Sequence, residues 1–275
     1  MLKMFLAFTL LLNFSNALAQ KDFNPAEAKV MKAEATRLWQ KRDDQQSLEE
    51  SLSKFEHVLS VEPNNLEVLT YLTRGYFTLA ELHLTNEDLK KRNFEKARTF
   101  GEMGMALNPD YKKLADKEVE EAIEKLTVRE VPVLFWTAAS LGKWARLNGI
   151  MSSLKYKGVI LAMIKQVEKL KPDFYYGAVP RYWGGFYAVA PSIAGGDMKK
   201  SKKKFQEAMS VAPEYLGTKV LYAELYLVKK EDKKEFKKQL SEVLIAPNGP
   251  QEIVPENLLE KKKAEKLLEK ADDLF

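Results

Sequence analysis

Between Val128 and Asp197 the chain gathers three of its four tryptophans (Trp136, Trp144, Trp183) and five tyrosines (Tyr156, Tyr175, Tyr176, Tyr182, Tyr187), with Arg146 and Arg181 among them. Tryptophan and tyrosine each join one polar atom to a large apolar ring, and that atom needs a partner once buried. Rings with a few polar handles suit the binding of an apolar small molecule. They suit an ordinary packed core equally well, and the residues alone leave both readings open. Helical spacing puts Tyr182, Phe186 and Val189 on one face, with Trp183 and Tyr187 beside it. Gly184 and Gly185 in the same run each cost a helix about 1 kcal/mol relative to alanine, which implies either a close helix approach or a space kept open.

Bond-breaking chemistry has less to build on. His57 and His83 fall on different helical runs, and no Asp, Glu or His at metal-ligand spacing stands out from the general charge. No GxSxG, HExxH, GxxxxGKS or GxGxxG pattern occurs. The carboxylates Glu118, Glu120, Glu121 and Glu124 share a lysine-containing helix and read as a solvated face, with a cation site as the alternative. The run Lys199, Lys200, Lys202, Lys203, Lys204 reads as exposed and suited to an acidic partner. Gly195-Gly196-Asp197 reads as a turn whose aspartate caps the next helix. The expectation is a binding or adaptor protein with no catalytic residues, no metal and no cofactor.

Composition narrows the class further. The 275 residues carry 44 Lys plus Arg against 39 Asp plus Glu, a formal +5 with both signs mixed along the helices. No basic stripe interleaved with aromatics is present, so nucleic acid is not an expected partner. Residues 1–19 have the form of a signal peptide: Lys3, an apolar run from Met4 to Leu12, and Ala17-Leu18-Ala19 as the cleavage site. That run is far shorter than the roughly 20 residues a membrane span needs. With no cysteine, neither disulfides nor a lipid-modified N-terminal cysteine can form. An exported, periplasmic protein held by packing alone is the expectation.

The elements that must position the aromatic stretch are helices. Asn24-Pro25 opens the first, with Ala28, Met31, Ala35, Leu38 and Trp39 at three- and four-residue spacing. Ser47–Val61 and Leu66–Leu84 follow, separated by Pro63-Asn64-Asn65. Asp110–Leu126 reads as one amphipathic helix, Pro132 starts the next, and Asn148-Gly149 closes it. Met151–Lys171, Val179–Ile193, Gly217–Lys230, Asp232–Ile245 and Glu256–Leu274 complete the predicted set.

A repeat runs through it. Ser51, Phe55, Val58, Pro63 have offsets of 4, 3 and 5, and the same offsets return as Ala97, Gly101, Gly104, Pro109, as Ile160, Ile164, Val167, Pro172, and as Ser201, Phe205, Ala208, Pro213. A small residue for close approach, apolar residues on the next turns and a terminating proline mark the second helix of a tetratricopeptide hairpin. The prolines lie 46, 63 and 41 residues apart, so the repeats depart from the ideal unit of roughly 34. The predicted fold is all-α: irregular tetratricopeptide-like hairpins stacked into one compact domain over residues 20–250, with room for a central pore or cavity. Residues 251–275 would form a C-terminal helix packed on that domain or extending it.

The segments Val131–Trp144, Lys171–Asp197 and Lys202–Leu244 resemble the T-component of TRAP transporters, the TatT-like family, and the resemblance extends from about Leu48 to Ala246. It rests most on Pro132–Trp136, Trp144, Tyr176-Gly177-Ala178, Gly195-Gly196-Asp197 and Tyr222-Ala223. The resemblance implies a periplasmic protein that docks a solute-binding P-component and holds or passes a hydrophobic or organic-acid ligand. Trp136, Tyr176, Arg181, Trp183, Tyr187 and Tyr222 would line or gate its cavity. Lipid-anchored members carry a cysteine that this chain lacks, so no stable membrane anchor is expected; a homo-oligomer is left open. The competing expectation is an envelope scaffold whose helical grooves bind a protein partner and no small ligand.

Overall fold

The computed structural model describes residues 25–275, and every regular element in them is helical, with no strand among the described residues. The signal-peptide expectation for residues 1–19 falls outside the described residues. The helices gather into two compact units, one ending at Leu170 and the other spanning Lys171–Phe275.

The first unit begins with α1 (Pro25–Trp39) and α2 (Gln45–Val61). The Asp44 carboxylate accepts from the Ser47 backbone N–H and starts α2. Leu48, Ser51, Leu52, Phe55, Val58 and Leu59 are buried, as the repeat pattern predicts. Ser51 Oγ donates to the Ala35 carbonyl at 2.8 Å, so the small residue marks the point where α1 and α2 touch. Asn65 caps α3 (Leu66–Thr78), which ends in a π turn over Leu79–His83. Then come α4 (Glu87–Met105), α5 (Pro109–Leu114), α6 (Val119–Glu124), α7 (Val131–Leu147) and α8 (Ile150–Leu170).

In the second copy of the pattern two glycines replace the larger residues, and α4 lies against α7 there. A Cβ on Gly101 would stand 1.8 Å from Thr137 Oγ1, and one on Gly104 would stand 3.0 Å from Val133. The single helix expected over 110–126 is instead α5 and α6, broken between them. Tyr111 at 2% exposure anchors α5, while Ala122 and Ile123 anchor α6. The break lets α6 lie along α8, where Gln166 Nε2 donates to the Glu124 and Leu126 carbonyls. A bundle of Thr127 and Glu130 side chains caps the turn into α7.

The second unit holds α9 (Ala178–Val189), α10 (Met198–Val211), α11 (Gly217–Tyr222), α12 (Lys233–Ile245), α13 (Val254–Glu269) and α14 (Ala271–Leu274). α9 ends four residues earlier than expected, because Pro191 cannot continue it. Asp197 accepts from the Lys199 and Lys200 backbone N–H groups and starts α10, the role its place in the turn implies. α11 runs into a π turn over Ala223–Leu227. Ser201 Oγ donates to the Gly184 carbonyl at 2.8 Å, the same device as Ser51 on Ala35. The fully buried Asn257 of α13 donates to the Glu214 and Asn248 carbonyls and accepts from the Leu216 N–H, tying α13 to the turn before α11.

Candidate functional site

Trp136 lies in the first unit. It is 6% exposed and stands 5.2 Å from the Phe77 ring, with the Arg74 guanidinium 5.6 Å from its centroid. Arg74 also stands 5.2 Å from Trp39, so one cation joins rings from α1 and α7. Arg42, 1% exposed, lies over the other part of this cluster at 4.9 Å from Trp39 and donates to the Trp39 carbonyl. His83 Nε2 is 2.9 Å from the Arg42 carbonyl oxygen, and His57 is exposed.

The other five expected residues lie in the second unit, and the structure sorts them into three groups. Trp183 and Tyr187 stack one turn apart on α9, with centroids 5.8 Å apart. Tyr222 stacks on Tyr226 at 4.9 Å and meets Phe205 edge-on at 5.5 Å. Burial, reinforced by Tyr226 and by the Glu235 and Asp232 charges, pushes the Tyr222 hydroxyl up to about 12. Tyr176 and Arg181 form the third group, with Tyr175 and Tyr215.

That third group is the least ordinary. Tyr175, Tyr176 and Gly177 take φ of 44°, 51° and 69° in succession. A left-handed conformation costs a non-glycine residue roughly 1–2 kcal/mol, so two in a row need compensation. The turn aims carbonyls at Arg181: Nη1 donates to the Tyr176 carbonyl at 2.7 Å and Nη2 to that of Tyr175 at 3.4 Å. Nη1 also donates to Thr218 Oγ1 at 3.3 Å, and the guanidinium lies 4.1 Å from the Tyr215 centroid. Arg181 is 8% exposed, and among the described residues no carboxylate pairs with it. The nearby acid, Glu252, accepts instead from the Tyr176 hydroxyl, and that bond holds its carboxyl below the usual range.

The two units share a register that isolates this feature. Ser51 and Ser201 each bond a carbonyl on the preceding helix, at Ala35 and Gly184. Three residues before those carbonyls stand Lys32 and Arg181. The second residue of the helix after each proline turn is Glu67 in α3 and Thr218 in α11. Lys32 pairs with Glu67 at 2.5 Å, and Arg181 meets Thr218. Four residues on, Tyr71 stacks on Phe55 at 4.6 Å as Tyr222 meets Phe205. Tyr222 therefore occupies a framework position of the repeat. Arg181 occupies one whose carboxylate partner has been replaced by a hydroxyl.

The glycine pair in α9 resolves by position. A Cβ on Gly184 would stand 2.8 Å from the Phe205 ring, so this glycine serves close approach. Gly185 has only ordinary contact distance to Leu221 and Leu225. An open surface cleft of about 410 Å³ in the first unit is lined by Asn64, Ala106, Leu107, Pro109, Lys112 and Arg129, none of them an expected site residue. Glu118, Glu120, Glu121 and Glu124 are exposed, and among the described residues no group of three acids or histidines is placed to hold a metal ion.

Sequence reasoning missed Thr218, Tyr215 and the Arg74 bridge. Thr218 was detectable only by laying the fourth copy of the pattern on the first and noting glutamate in one and threonine in the other. Among the described residues no helix is long and apolar enough to cross a membrane. A search of curated proteins gave no match. Residues 44–275 match the family model described as TRAP transporter T-component, and the chain belongs to that family.

Proposed function

We propose that this accessory component works in the periplasm, docks the solute-binding protein of its transport system, and holds an apolar carboxylic acid in its second unit. The carboxylate faces Arg181, and the apolar body lies against rings drawn from Tyr176, Trp183, Tyr187 and Tyr222. Trp136 belongs to the aromatic and arginine cluster of the first unit and would line any path through that unit. The observation that carries the ligand reading is a guanidinium 8% exposed whose protein partners are two carbonyls, a hydroxyl and a ring. Buried charges are ordinarily matched by an opposite charge, and a carboxylate fits the planar fork of arginine.

A second reading, a helical scaffold that binds a protein and no small molecule, is supported by one feature. Phe205 fills the space at Gly184, and Trp183 is 7% exposed. Native mass spectrometry of the purified chain separates the two. A bound acid that Arg181→Met no longer retains is the expected result, and a ligand-free wild-type chain that still recovers its solute-binding protein from periplasm would establish the scaffold instead. Recovery of no solute-binding protein would contradict the docking part.

A further inference from the structure

From Val131 to Val167, 37 residues pass without a single aspartate or glutamate, while Lys143, Arg146, Lys155, Lys157 and Lys165 fall within them. This stretch is the α7–α8 hairpin, and its turn carries the largest cluster of exposed apolar side chains among the described residues of the first unit. Ile150 is 74% exposed, Met151 79% and Leu154 53%. Offsets of one and four residues put the three on one side of the first turn of α8.

The cations sit directly behind this apex. Arg146 and Lys155 are exposed and Lys157 is half-buried, one on the last turn of α7 and two on the second turn of α8. Beside them stands an aromatic pair, Trp144 and Tyr156, half-buried with centroids 5.7 Å apart. The carboxylates that approach the hairpin lie away from the apex. Glu81 is paired with Lys143, and Glu120 faces Gly158, two turns along α8 from Met151 and so roughly 10 Å from it.

Apolar side chains at the turn, with cations and a tryptophan–tyrosine pair within the next turn of each helix, are the residue set of a membrane interface. We propose that the α7–α8 tip is a reversible docking surface for an anionic phospholipid bilayer. Ile150, Met151 and Leu154 enter the boundary between headgroups and acyl chains, and Arg146, Lys155 and Lys157 meet the phosphates. The hairpin carries no carboxylate of its own from Val131 to Val167, so its charge complements an anionic surface. The surface potential adds about fivefold in partitioning for each cation close to it.

The test is co-sedimentation of the purified chain with vesicles of phosphatidylethanolamine and phosphatidylglycerol, against vesicles of phosphatidylcholine alone. The chain should pellet at least about tenfold more strongly with the anionic vesicles and release when salt shortens the screening length to a few ångströms. A Met151→Glu and Leu154→Glu double variant should lose at least about tenfold in partitioning, and Arg146→Gln with Lys155→Gln a further separable tenfold or more. All four side chains are exposed, so unchanged melting curves certify the fold. Equal pelleting with both vesicles, no pelleting with either, or variants that pellet like the wild type would overturn the proposal. So would a soluble acidic protein, or a second copy of the chain, whose binding the same variants abolish while vesicle binding is absent throughout.

Discussion

The α1–α2 and α9–α10 hairpins are built on one plan and end in different chemistry. In both, a serine on the second helix bonds a carbonyl on the first, a phenylalanine one turn later fills the crossing, and a tyrosine from the next helix meets that ring. In both, a cation stands three residues before the bonded carbonyl. In the first unit it is Lys32, half-exposed and matched by Glu67. In the second it is Arg181, buried and matched by neutral groups. Phe205 and Tyr222 therefore belong to a framework shared with Phe55 and Tyr71, and the difference at the matched cation lies in one charge.

The largest effect tests the shared plan. Phe55→Ala and Phe205→Ala each remove a ring with 0% exposure, and each should cost about 3–5 kcal/mol in urea unfolding. A loss at one position without the other would break the correspondence. Next in size is Gly184→Ala, which drives a methyl into Phe205 and should destabilise by about 1–3 kcal/mol. The matching residue, Ala35, already carries that methyl in a fully buried site.

Alkaline titration sharpens the comparison further. Burial raises the hydroxyls of both Tyr71 and Tyr222, the latter to about 12. The folded state then holds its proton where the unfolded chain releases it near 10, so stability is whole below about pH 10 and falls as the pH climbs to about 12. Tyr222→Phe should flatten that part of the stability curve, as followed by thermal melts across the range. The smallest effect belongs to the exposed pair: Lys32→Met should change stability by no more than about 1 kcal/mol.

How far the sequence could lead depended on what a local pattern can encode. Offsets of 4, 3 and 5 residues picked out twelve positions before the prolines, and all twelve are buried, because helix periodicity and helix contact obey the same geometry. The break between α5 and α6 was not legible, since the segment has helical periodicity throughout and only packing along α8 divides it. The left-handed run at Tyr175 and Tyr176 was hidden too: Gly177 signals a turn, but nothing in Phe-Tyr-Tyr foretells two strained tyrosines. Arg181 was legible as a polar handle, whereas the loss of its carboxylate is a relation between two repeats and invisible in either alone. Trp136 falls in the first unit and the other five expected residues in the second, a division that nearness in sequence does not reveal.

On the function proposed above, Arg181 takes its carboxylate from outside the chain. Thr218→Glu would supply one from within, at the position that Glu67 fills in the first unit. Binding of dodecanoate and of dodecanol, measured by calorimetry on the wild type and on this variant, tests the claim directly. The wild type should prefer the acid by at least about tenfold, as expected for a charge-assisted bond worth about 1.5–3 kcal/mol, and Thr218→Glu should abolish the preference while raising the melting temperature. Equal affinity of the wild type for acid and alcohol, or a preference that survives Thr218→Glu, would contradict it.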